Sequence, residues 1–183
     1  MKDYNNTYQQ IKSYFEKANF DKEEIITMIH NNDLYDMCFH LATTNDNPAA
    51  WRCAWALSAC REKYHKQNNN NLAYVINILP AITRDGHIRE LLKLFRNLRF
   101  DEFPENKTGF LFDFCMKTFQ DAGKQSGTRS TALQVLLIFA REEPDLLNEI
   151  RITFEHIKPQ LSNGIRKSCE HKINNLQNEY EFD

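Results

Sequence analysis

Glycine and proline are scarce in this chain, at five each in 183 residues. Sheet proteins spend those residues on turns, so the shortage points to helices. No apolar run approaches the roughly 18 residues that a membrane span needs; the longest, Val135 to Ala140, is far too short. The first six residues, Met1 to Asn6, are polar and lack the apolar centre of a signal peptide. The five cysteines, Cys38, Cys53, Cys60, Cys115 and Cys169, are odd in number, and no two have a Cys-x-x-Cys spacing. They read as small core residues in a reducing compartment, and a cytoplasmic protein is expected. A large charge imbalance is also missing. The formal net charge is −2, which makes the whole chain neither strongly nucleic-acid-binding nor strongly acidic.

Catalytic patterns are absent too. There is no His-Glu-x-x-His, no glycine-rich phosphate loop and no nucleophile elbow. The histidines, at 30, 40, 65, 87, 156 and 171, show no metal-ligand spacing. His40 lies beside an apolar stripe and is expected to pack between helices. No cofactor and no metal are expected.

What the chain does have is apolar periodicity at helical spacing. Thr7 to Ala18 puts Tyr8, Ile11, Phe15 and Ala18 on one face. Asp21 is placed to cap a short helix, and Asp33 to begin another bearing Leu34, Met37, Cys38 and Leu41. The stretch from Pro48 to about Tyr64 is apolar nearly all round, interrupted early only by Arg52 and Ser58. A helix of that kind is buried on several sides. Asn47 is a candidate cap for it, with Pro48 at the first helical position. The run Gln67 to Asn71 is a polar connector. A helix through Leu72, Val75, Ile76 and Leu79 should end near Pro80. Asp85-Gly86 opens one through Ile88, Leu91, Leu92, Phe95 and Leu98. Phe100 to Asn106 reads as a loop, and Lys107 to Phe119 as a helix. Thr131 to Ala140 is a second helix apolar nearly all round. Pro144 starts the next, and Pro159 and Gly164 punctuate the last, which should fray after Gln177. The expectation is an all-α chain of about ten antiparallel helices in one domain over residues 1–183.

An arginine recurs near the start of every second helix, in Trp51-Arg52, Ile88-Arg89, Thr128-Arg129 and Ile165-Arg166, at spacings of 37, 40 and 37. Helix pairs repeating at about 40 residues belong to the HEAT and armadillo class. Through these residues, and through Ala54, Trp55, Leu57, Leu91, Leu92, Ala132 to Leu136 and Lys167, residues 33–177 resemble the short bacterial HEAT-like repeat proteins. The resemblance implies an α-α superhelix, since the motifs are packing motifs. Proteins of this look are sometimes named adenylosuccinate lyases. The Ser-Ser-x-Met-Pro-x-Lys-x-Asn-Pro loop of that enzyme is absent, so the activity is not carried over.

The second helices and their flanks carry fifteen positive residues against six negative ones. In a solenoid these helices line the concave side, so a basic groove with an acidic back is expected. Arg89, Lys93 and Arg96 share one helix face at i, i+4 and i+7. Trp51 and Trp55 lie one turn apart beside Arg52 and are either core residues or an exposed aromatic pair. The function expected is a non-catalytic scaffold that binds a protein or peptide with an acidic surface. Its contacts are Arg52, Arg89, Lys93 and Arg96, with Trp51 and Trp55 as anchors, and no membrane is involved. A purely structural subunit of a larger assembly is a further reading. The alternative partner is nucleic acid, through the basic second helices. A more distant resemblance, to HEAT-like alkylpurine DNA glycosylases, implies base repair; Asp46 is the nearest carboxylate to the tryptophans.

Overall fold

The computed structural model describes residues 4–17, 19, 21–44, 48–64 and 71–181. Every regular element among them is helical. The chain divides into two compact units, residues 1–94 and 95–183. The first contains α1 (Tyr4–Glu16), α2 (Lys22–Asn31), α3 (Tyr35–Ala42), α4 (Pro48–Tyr64), α5 (Leu72–Ile78) and α6 (Asp85–Lys93). The second contains α7 (Thr108–Gln120), α8 (Ser126–Glu142), α9 (Pro144–Ile157) and α10 (Asn163–Glu181). Short 3-10 turns at Leu79–Ala81, Phe100–Glu102, Glu105–Lys107 and Lys158–Gln160 join them. No helix among the described residues is long and apolar enough to cross a membrane.

Local chemistry sets two of the helix starts. The Asp21 carboxylate accepts the backbone N–H groups of Glu23 and Glu24 at 2.9 and 3.0 Å, capping α2. Pro144 sits in the first turn of α9, where its missing N–H costs nothing. The Asn47 cap and the connector from Gln67 to Asn70 lie outside the described residues.

Three boundaries differ from the sequence reading. Asp33 does not begin α3. Its φ is +51°, and the Leu34 N–H reaches back to the Ile29 carbonyl at 3.0 Å. Asp33 therefore closes the C-terminus of α2, in the left-handed position that glycine usually takes and that Asp tolerates. The helix of Arg89 stops at Lys93, so Arg96 is not on it. There the chain tightens into i to i−3 bonds, Leu94 to Leu91 and Leu98 to Phe95, which bury the adjacent Leu94 and Phe95 together. Finally, α10 continues through Glu181 instead of fraying after Gln177. Its last turn is tied to α8: the Tyr180 hydroxyl donates to the Ala140 carbonyl, and Glu179 pairs with Arg141.

Each unit is built round one of the two helices that are apolar nearly all round. In the first unit α4 packs against α1, α2, α3 and α6. Its Ala49, Ala50, Cys53, Ala54, Ala56 and Cys60 are fully enclosed, and the small side chains let four neighbours approach one axis. In the second unit α8 packs against α7, α9 and α10. Ala132, Leu133, Val135 and Leu136 are fully enclosed there. All five cysteines are buried and unbridged. Burial pushes the Cys60 thiol up to about 12 and raises Cys53 and Cys115 as well, so these groups stay protonated and behave as small apolar residues. His40, in contrast to the packing role expected of it, is exposed, with its ring 5.7 Å from that of Tyr8.

Candidate functional site

The recurring arginines do two different jobs. Arg52 turns its guanidinium onto the C-terminus of α1, donating to the carbonyls of Phe15 and Lys17, the latter at 2.6 Å. Arg129, only 5% exposed, does the same for α7: its Nε donates to the Phe119 carbonyl at 2.9 Å. The last carbonyls of a helix have no partner within it, and a cation there also meets the negative end of the helix dipole. Arg89 and Arg166 cap no helix end among the described residues. They pair with Glu90 and with Asn163 on their own helices.

In α6 the capping role falls to His87, which the sequence reading passed over. His87 is buried, and its Nε2–H donates to the Ala42 carbonyl at the end of α3, at 2.7 Å. Burial lowers its pKa below the ordinary histidine value, and Arg84 adds to this, while the bond to Ala42 opposes it. The neutral imidazole is thus the folded form. As pH falls through about 6.5 the unfolded chain takes up this proton before the folded chain does, so stability is full above that pH and declines below it. A His87→Gln variant keeps an N–H donor without the titration. Between about pH 7 and pH 5 its thermal midpoint should fall less than that of the parent chain; equal slopes would remove His87 from the acid response.

The accessible surface of the second helices is narrow. On α4 the half-buried and exposed positions after Ala50 are Trp51, Arg52, Trp55, Ala59, Arg61, Glu62, Lys63 and Tyr64. Trp51 and Trp55 are both half-buried, between the two alternatives left open by the sequence, and each carries a cation. The Arg52 guanidinium lies 5.4 Å from the Trp51 ring and the Lys22 ammonium 5.6 Å from the Trp55 ring. On α6, Arg89 and Lys93 converge on Glu90, whose carboxylate they meet at 3.0 and 2.9 Å. Glu90 is only 1% exposed. A carboxylate that deep needs such partners, and it holds both cationic heads in place while leaving one net positive charge.

Arg96 belongs to the second unit. There it lines a pocket of about 320 Å³ with Arg141 of α8 and Lys172 of α10. The floor is apolar, made by Leu137, Ile138 and Leu176, and Gln134, Asn175 and Glu179 complete the wall. A second pocket of about 480 Å³ shares Ile138 and Arg141 with it and continues past Leu98, Arg99 and Phe100, where Asp101 and Glu142 bring two carboxylates to its wall. Arg141 and Lys172 were visible in the sequence as basic residues of second helices. The stronger signal was Gln134, which interrupts an otherwise apolar run seven residues before Arg141 and marks the side of α8 that meets solvent.

The HEAT repeat domain model matches residues 9–175, which takes in α1 and α2 as well as the four second helices. No curated protein and no solved structure matches the chain. With every regular element among the described residues helical, and with α4 and α8 each enclosed by the helices packed round it, the chain belongs to the HEAT-repeat family.

Proposed function

We propose that the chain acts as one HEAT-repeat domain, a non-catalytic scaffold that binds a protein or peptide with an acidic surface. Function in such folds lives on the helix surfaces. The observation that carries the reading is the character of what the second helices leave accessible. α4 presents two half-buried indole rings, and α6 presents the fixed cationic heads of Arg89 and Lys93. Half-buried aromatics beside positive charge suit a partner that offers carboxylates and apolar side chains together. Trp51 and Trp55 serve as anchors, and Arg89, Lys93 and Arg96 as charged contacts. Arg52 adds its charge beside Trp51 while holding α1. Asp46, the carboxylate of the base-repair reading, lies outside the described residues.

The two tryptophans are the only ones in the chain, so intrinsic emission reports on α4. Titration with a labelled Glu-rich peptide at low salt should give a saturable rise in anisotropy accompanied by a change in tryptophan emission. Absence of any anisotropy change would contradict the scaffold reading. Binding without an emission change would remove Trp51 and Trp55 from the contact.

A further inference from the structure

The pocket of the second unit has a composition that neither a solvated helix face nor a closed core requires. Three cations from three segments, Arg96, Arg141 and Lys172, face one carboxylate, Glu179. That carboxylate stands 3.4 Å from the Arg141 Nε, a long contact between side chains more than half exposed, and such a pair contributes little. Lys172 donates to the Ser130 hydroxyl at 3.0 Å, a neutral partner that leaves its charge uncancelled. Between these charges lies an apolar floor. Leu137 and Ile138 are each 7% exposed and Leu176 2%, while Gln134 and Asn175 offer amides at the side.

We propose that this groove between α8 and α10 is a docking site for an acidic peptide segment in which a carboxylate side chain stands next to an aliphatic one. The carboxylate pairs with Arg141, Lys172 and Arg96, and the aliphatic side chain rests on Leu137, Ile138 and Leu176. Arg141, held only by a long contact to Glu179, and Lys172, on a neutral hydroxyl, favour an anionic occupant. The apolar floor separates a peptide from a small anion, which would leave that floor uncovered. The volume of about 320 Å³ admits one or two side chains. The inference rests on the scaffold reading above and adds the place and the ligand chemistry.

The test uses the full chain and a fluorescein-labelled peptide built of Glu and Leu, with a Gln/Leu peptide and a Glu/Ser peptide as controls, all read by anisotropy. The parent chain should bind the Glu/Leu peptide about tenfold or more tightly than either control. An Arg141→Glu, Lys172→Glu double variant should lose about tenfold or more in affinity. Gln134→Glu, which adds a carboxylate to the groove and removes no cation, should weaken binding in the same direction and decides the question if the double variant fails to fold. Lys117→Glu, at an exposed position on α7 outside the groove, should leave binding within about twofold. Retention of binding by the groove variants with loss in an Arg89→Glu, Lys93→Glu variant would overturn the groove while the scaffold reading stood. Equal affinity for the Glu/Leu and Glu/Ser peptides would show charge alone at work and overturn it too. Failure of every peptide to bind the parent chain would overturn both.

Discussion

Replacing Leu136 by alanine is expected to destabilise the chain by about 3–5 kcal/mol, the upper part of the range for a fully enclosed leucine. Leu136 has no exposed surface and sits in the middle of α8, the helix on which α7, α9 and α10 all pack. A cavity there is bordered by several helices, so no single neighbour can collapse to fill it. The thermal midpoint followed by far-ultraviolet circular dichroism should fall by roughly 10 °C. The matched control is Ile152→Ala on α9, a residue of similar size that is 65% exposed; it should change stability by no more than about 0.5 kcal/mol. Similar losses at the two positions would mean that α8 is not the centre of its unit.

The second large effect is expected at Arg129. Truncation to alanine removes the Arg129 cap from the Phe119 carbonyl, strips a buried side chain out of the contact between α7 and α8, and should cost about 2–4 kcal/mol. Two substitutions separate the causes. Methionine fills much of the same space without a donor, so it should recover the packing and not the cap. Lysine keeps the charge near the helix end but cannot reproduce the guanidinium geometry, and should fall between parent and alanine. A methionine variant as stable as the parent would show that the arginine is there for its volume, since a buried cation can be replaced by an apolar residue without loss when no partner depends on it. Chemical denaturation of the three variants decides between these outcomes.

The architecture was legible in the sequence because α4 and α8 break the rule for surface helices. A stretch such as Trp51 to Cys60, with few polar positions on any side, has to be enclosed, and an enclosed helix implies neighbours all round it. Cap chemistry at Asp21, Pro48 and Pro144 located helix starts because it depends on adjacent residues only. The boundaries that misled depend on more. Leu91, Leu92, Phe95 and Leu98 satisfy a helical period and a tightened turn equally well, and the choice is made by which of them the core accepts. Asp33 carries the signature of a helix start and performs the task of a helix end, because the same short carboxylate favours both conformations.

The recurring arginine shows the same limit. Its period marked the repeat, but the period says nothing about where the guanidinium goes. Arg52 and Arg129 reach a neighbouring helix end, Arg89 meets a buried carboxylate, and the capping task in α6 passes to His87. The basic groove was less legible still. Arg96, Arg141 and Lys172 come from a turn and two helices with no common spacing, so only the folded chain brings them together.

The measurement that tests the account most directly is a paired titration of the parent chain with a labelled Glu/Leu peptide and a labelled single-stranded DNA of equal charge, at two salt concentrations. The expected result is the tighter complex with the peptide, retaining part of its affinity at the higher salt because apolar burial supports it. Tighter binding of the DNA, lost steeply as salt releases the counterion advantage, would contradict the account and make the basic second helices a nucleic-acid surface.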